Sequence, residues 1–379
     1  MKVTVAIDSF KGSLSTLDAG YSASEGVRRV FPDAECMVSP LADGGEGTAE
    51  AIISATGGKF VEVTVKGPLG EPLTAKYGVT PEGCAVLEMA SASGITLVPD
   101  EKRNPLNTTT YGVGELIRHT IEVSGCRKFT VGIGGSATND GGIGMLAALG
   151  FEFLDECGER VSVFGKGLEK IASIKTENAM RELSECEFSI ASDVKNPLCG
   201  ELGCSAVFAP QKGATSAIVK DMDLWLDRYA SLTAKATGTD YKDHPGSGAA
   251  GGLGFAFLSY LGADLMPGID LVIKETRLEE KIKDSDVVIT GEGRLDGQSA
   301  MGKAPVGVAK TAKKYGKRVL AFSGCVTDDA RALNECGIDA FFPILKAPCS
   351  LSEAMKVENA KKNLSDTVEQ AFRIIKTFI

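Results

Sequence analysis

Glu292, Arg294, Asp296 and Lys303 stand among Gly291, Gly293, Gly297 and Gly302, just past the β-branched run Val287 to Thr290. Charges on a glycine-rich backbone suit a bound anion, because glycine lets backbone N–H groups come close to it. From Gly297 the spacing is that of a P-loop: four residues, then Gly302 and Lys303. The next residue is Ala304, where a P-loop needs a magnesium-binding hydroxyl. Pro305 follows, and Thr290 lies well before Gly297, so a strand-to-helix cradle of the P-loop kind is not expected. The stretch reads instead as one wall of a shared site.

Other loops carry the same vocabulary. Asp8 and Lys11 lie in Asp8 to Ser13, and Asp43, Gly44 and Gly45 in Leu41 to Thr48. Ser136, Thr138 and Asn139 lie in Gly134 to Gly142, and Asp193 in Ser192 to Pro197. Aspartates can hold magnesium through its waters, lysines neutralise phosphate, and helix N-termini favour anions. Together they suit phosphoryl transfer, which needs positioning and electrostatics more than covalent chemistry. Each loop also has a plainer reading. Asp8 and Asp43 could be helix caps, and Asn139-Asp140-Gly141 a tight turn. The run Gly246 to Gly254 could hold an anion or only pack closely. Gly132 to Ala137 also fits a dinucleotide fingerprint, with Asp155 downstream as the acidic partner. That is the alternative of an NAD-dependent hydroxy-acid dehydrogenase. The loop runs on to Gly142 before a helix, which counts against it. A non-enzymatic sugar-acid sensor is a third reading, disfavoured by so many carboxylates around an anionic ligand.

Composition narrows the classes. The chain has 379 residues, 43% hydrophobic and 24% charged, with net charge -9. That disfavours nucleic acid or an anionic membrane as a partner. The N-terminus lacks a signal-type apolar run, so a cytoplasmic protein is expected. Ten cysteines show no Cys-x-x-Cys pair, and there are only two histidines, His119 and His244. A zinc site or a histidine-centred triad is not expected.

The elements that would position these loops follow from periodicity. Residues 2–7 and 34–39 read as strands, with Ser15 capping a helix over 16–30. Residues 286–290, 319–323 and 340–345 read as strands, separated by helices near 305–315 and 328–336 and followed by helix over 351–378. Joined, these ends predict a doubly wound parallel sheet of order 2-1-3-4-5, formed by residues 1–60 and 281–379. Residues 61–280 read as a second, mixed α/β domain inserted into the first. It opens with an antiparallel meander over 60–66, 73–80 and 84–89. The site is expected in a cleft between the domains.

Seven blocks in one order make the chain resemble the bacterial type I glycerate kinases over its whole length. They are Asp8 to Ser15, Ala42 to Thr48, Gly132 to Gly142, Ser192 to Leu198, Ala209 to Ala214, Gly248 to Gly254 and Thr290 to Asp296. One departure is Ile7 before Asp8, where that family commonly has proline. The resemblance implies ATP-dependent phosphorylation of D-glycerate and a flavodoxin-like domain with a second α/β domain inserted. With ATP and Mg2+ as partners, Asp193 or Asp296 is expected to be the base near the substrate hydroxyl. Asp43 and the other of that pair are expected to serve magnesium. Lys11 and Lys303 would face phosphate, beside Gly44, Gly45, Gly291 and Gly293. Arg294 would take the glycerate carboxylate, and Ser136, Thr138 and Asn139 would hydrogen-bond substrate or phosphate. Phosphorylation at C2 or C3 and the oligomeric state are left open.

Overall fold

A computed structural model describes residues 1–378. The chain forms two compact units, one of residues 1–43 and 269–379, the other of residues 44–268. Strand β1 (Lys2–Ile7) is apolar and almost wholly buried. The helix Thr16–Arg28 follows, and Ser15 caps it by accepting the Asp18 N–H. Strand β2 (Glu35–Val38) completes the N-terminal part.

The second unit carries β3 (Lys59–Lys66), β4 (Pro72–Val79), β5 (Cys84–Glu88) and β6 (Lys128–Gly132). A short antiparallel pair, β7 (Glu152–Leu154) and β8 (Ser173–Lys175), precedes β9 (Glu187–Ala191) and β10 (Asp264–Met266). Its sheet runs β10-β9-β6-β5-β4-β3, antiparallel across β3, β4 and β5 and parallel from β5 to β10. The helix Thr48–Thr56 belongs to this unit and not with residues 1–60 as the sequence suggested. The physical tie is local: Ala49 N–H donates to Glu88, and Ile53 fills the space left open by Gly58 and Gly78. The boundaries therefore fall at 43/44 and 268/269, not at 60 and 280.

The first unit resumes with β11 (Val287–Leu295), β12 (Arg318–Val326) and β13 (Ala340–Pro343). Its sheet has the order β13-β12-β11-β1-β2, and every pairing is parallel. The helices Thr16–Arg28 and Val357–Lys376 meet on one side of a core that includes Val5, Ile7, Val27, Ile289, Phe322, Leu364 and Phe372. The protein is thus a mixed α/β fold with parallel sheets.

One expected boundary moves with consequences. The sequence placed the end of the strand at Thr290, but β11 runs through Gly291 to Leu295, paired with β12 as far as Leu295 and Val326. Gly291 is there for packing: a Cβ on it would lie 2.0 Å from the Phe322 carbonyl oxygen. It belongs to the sheet.

Candidate functional site

Parallel strands release their loops at one edge, where ligands of open α/β sheets bind. In the first unit that edge encloses a cavity of about 580 Å³. Lys11, Asp43, Gly293, Arg294, Asp296 and Lys303, all nominated from sequence, line it, together with Asp8 and Glu292. Gly291, Gly44 and Gly45 are not among its lining residues.

Local bonding explains how these side chains arrive. The Thr16 hydroxyl donates to the Ile7 carbonyl (2.5 Å) and accepts the Leu41 N–H (3.0 Å), tying the end of β1 to the segment that carries Asp43. Gly293 lies against the loop after β1: a Cβ there would make ordinary van der Waals contact, 3.4 Å from Phe10 Cα and 3.6 Å from Lys11 N. Successive side chains of β11 alternate, so Glu292 and Arg294 share a face and both reach the cavity.

Asp8 is not a helix cap. It is 9% exposed, and its carboxylate accepts the Ser9 N–H at 2.6 Å. Burial, reinforced by Asp43 and Glu292, pushes its pKa up to about 7, against the pull of Ser9 and Lys11. Burial also raises Glu292, opposed by the Ser299 hydroxyl, which donates at 2.5 Å, and by Lys303. Asp8 and Glu292 were visible in the motifs but had no assigned role; the signal was two carboxylates bracketed by glycine at strand ends.

The near-P-loop is used differently. Asp296 Oδ1 accepts the N–H groups of Gln298 (3.0 Å) and Ser299 (3.1 Å), so these donors turn inward rather than toward a ligand. Lys303 sits just before the helix Ala304–Lys314 and lines the cavity, without bonding the helix end through its side chain. Arg294 pairs with Asp296, Nε to Oδ2 at 3.4 Å, and remains 65% exposed.

The remaining nominated residues lie in the second unit. Asp193 Oδ1 accepts the Gly268 N–H at 3.0 Å. Thr138 and Asn139 are fully buried. Asn139 instead donates to the Ser205 hydroxyl at 2.9 Å. Ser136 is 8% exposed and accepts from Lys212 Nζ at 2.7 Å, and the same ammonium donates to the Thr138 carbonyl at 2.6 Å. Burial draws Lys212 down to about 8, with Cys204 and Asp140 acting against it. Asp140, also buried, accepts from Thr110 N and Oγ1 and from Gly142 N. This network holds the Gly134 to Gly142 loop in shape from within. In the sequence Lys212 lies in what reads as an ordinary turn, which by itself says little.

Gly44 is closely packed. A Cβ on it would lie 2.6 Å from Gly268 Cα. Gly45 accepts from the Thr48 hydroxyl at 2.7 Å, ahead of the helix Thr48–Thr56. The run Gly246 to Gly254 is close packing too: Cβ atoms on Gly248, Gly251 and Gly254 would come within 2.3 Å of carbonyl oxygens.

The dinucleotide reading also fails on geometry. After β6 ends at Gly132, the next helix begins only at Ile143, so no helix N-terminus sits within the glycines for a pyrophosphate. Asp155 follows β7, which is antiparallel to β8 and outside the main sheet.

Among the described residues no group of three or more His, Cys, Asp or Glu is set to hold a metal. The cavity's carboxylates still fit Mg2+, which takes one or two carboxylates, several waters and substrate phosphates. No helix of the described residues is long and apolar enough to cross a membrane.

Residues 3–376 match the sequence profile of the glycerate kinase family. A glycerate kinase from Haemophilus influenzae is 45% identical over 99% of both chains. A glycerate 2-kinase from Escherichia coli K12 is 45% identical over 98% of this chain and 99% of its own. A crystal structure from Salmonella typhimurium LT2, assigned as glycerate kinase 2, superposes with a TM-score of 0.92 at 44% identity. It covers 100% of this chain and 98% of its own.

Proposed function

The chain belongs to the glycerate kinase family and is an enzyme of that family, and we propose that it transfers the γ-phosphoryl group of ATP to a hydroxyl of D-glycerate. The observation that carries this reading is the first unit's cavity, where Lys11 and Lys303 stand with Asp8, Asp43, Glu292 and Asp296 at the carboxyl ends of parallel strands. The all-parallel order β2-β1-β11-β12-β13 supports a flavodoxin-like unit, and the division of residues 1–43 and 269–379 around 44–268 supports an inserted domain. A cytoplasmic location fits the same reading.

In the proposed reaction, Lys11 and Lys303 hold phosphate oxygens and offset the charge that spreads over them in the transition state. Asp43 and Asp296 would hold Mg2+, which when bound screens the charge between the phosphates and the carboxylates. Asp296 suits this duty because two backbone N–H groups fix its carboxylate. Asp193 takes the remaining role: it orients the glycerate hydroxyl and accepts its proton late. The hydroxyl oxygen bonds to phosphorus as the bond to the ADP oxygen breaks. Ser136, held by Lys212, offers a hydroxyl to substrate. D-Glycerate is thus the acceptor, phosphorylated at C2 in the reading favoured by the similar glycerate 2-kinase of Escherichia coli.

A coupled assay is expected to show ADP release that needs both D-glycerate and Mg2+. Release that ignores glycerate would overturn the proposal, and 31P NMR of the product reads the position. Arg294 is assigned the glycerate carboxylate, for which its planar fork is suited. Arg294→Lys should raise KM for glycerate about tenfold or more, with KM for ATP within twofold. A rise confined to ATP would move Arg294 to the phosphates.

A further inference from the structure

The charged residues of the cavity are not spread evenly around it. Asp8, Lys11, Asp43, Glu292, Arg294, Asp296 and Lys303 come from the loop after β1, the segment after β2, and β11 with the loop that follows it. The wall supplied by the end of β12 and the chain beyond β13 carries no charge: Gly324 and Cys325, then Ile344, Leu345, Leu351 and Met355. The sheet order sorts these two sets, because β12 and β13 lie on the far side of β11 from β1 and β2. At about 4.8 Å per strand, β1 to β13 spans on the order of 14 Å. A nucleoside triphosphate bridges such a span, and a three-carbon acid does not.

The uncharged wall also shows apolar surface that the fold does not cover. Leu345 is 39% exposed and Leu351 is 75% exposed. Met355 reaches across to the loop bearing Lys11: a Cβ on Gly12, at φ 76°, would lie 2.6 Å from its Cε. A flexible thioether in that position adapts well to a flat ring. Apolar surface continuous with an anion-binding end is the usual division of a nucleotide pocket, rings at one end and phosphates at the other.

We propose that the wall formed by Ile344, Leu345, Leu351 and Met355 is the nucleobase subsite of this cavity, taking the purine ring of the phosphoryl donor. The inference rests on the kinase reading, and it adds which part of the chain holds the base. Binding there comes from ring burial, so it is independent of the phosphate contacts made by Lys11 and Lys303.

The test compares ATP with inorganic tripolyphosphate, a donor-like anion without a base, by calorimetry at fixed Mg2+. The wild-type protein should bind ATP at least tenfold more tightly than tripolyphosphate. Leu351→Asp and Leu345→Asp should each weaken ATP by about 10–100-fold, because a carboxylate must be desolvated against the ring. Tripolyphosphate affinity, KM for glycerate and the melting temperature should stay near wild type. Leu351 is exposed enough for its substitution to leave folding intact. Unchanged ATP affinity in both variants overturns the subsite, and so does equal weakening of ATP and tripolyphosphate. Failure of the kinase reading looks different: the wild-type protein would then release no glycerate-dependent ADP.

Discussion

Lys303→Ala is expected to lower kcat by about 10²–10³-fold, as when one donor to a developing anionic charge is removed. The melting temperature should not move. Lys303 precedes the helix Ala304–Lys314 but makes no side-chain cap bond to it. The helix start rests on Pro305 and on backbone bonds from Val306 and Gly307 to the Lys303 carbonyl, and alanine keeps that carbonyl. KM for D-glycerate should remain within a few-fold, since the proposed contact is to phosphate. Steady-state kinetics with a melting curve decides the matter. Near-normal turnover would make Lys303 a solvated residue at a helix end. Loss of Lys303 also removes the positive charge that opposes the upward shift of Glu292, so any residual activity should follow a changed pH profile.

Asp8→Asn should act in opposite directions on stability and on turnover. The Asp8 carboxyl titrates near pH 7 in the folded protein against 3.8 in its ordinary environment. Between those two values the folded state holds more protons than the unfolded state. Asp8 therefore lowers stability as pH rises through that window, with the full cost present above pH 7. Three pH units at 1.36 kcal/mol each set an upper bound of about 4 kcal/mol, and relaxation of the site leaves an expected gain of about 1–3 kcal/mol at pH 8. Asparagine retains the carbonyl oxygen that accepts the Ser9 N–H. Urea unfolding should show the advantage of Asp8→Asn shrinking from pH 8 to pH 4, while kcat falls at least tenfold. An advantage that does not change with pH would show that the buried charge is not its source.

Some elements are legible because their causes are local. Ser15 marks the start of its helix since the capping oxygen and the N–H it accepts are three residues apart. The β-branched runs of β1 and of the first half of β11 announce buried parallel strands. The extension of β11 past Gly291 is not legible, because glycine in a strand reads as a break until β12 is beside it. Its need for glycine comes from a carbonyl oxygen on Phe322, far away in sequence. The same holds for Thr138 and Asn139. Polar residues in a glycine-rich loop look like ligands, and only the folded chain shows Asn139 bonded to Ser205 and the Thr138 carbonyl to Lys212.

By itself, the sequence determined the family, through seven ordered blocks of glycines and charges, and the mixed α/β character, through the alternation of apolar runs with capped helices. Those are properties of short stretches and their order. The tertiary structure decided which charges share a cavity, that Asp8 and Glu292 join Asp43 and Asp296 there, and which glycines are closely packed. Burial and electrostatic coupling depend on distances between residues remote in the chain, and those distances exist only once the sheet has formed.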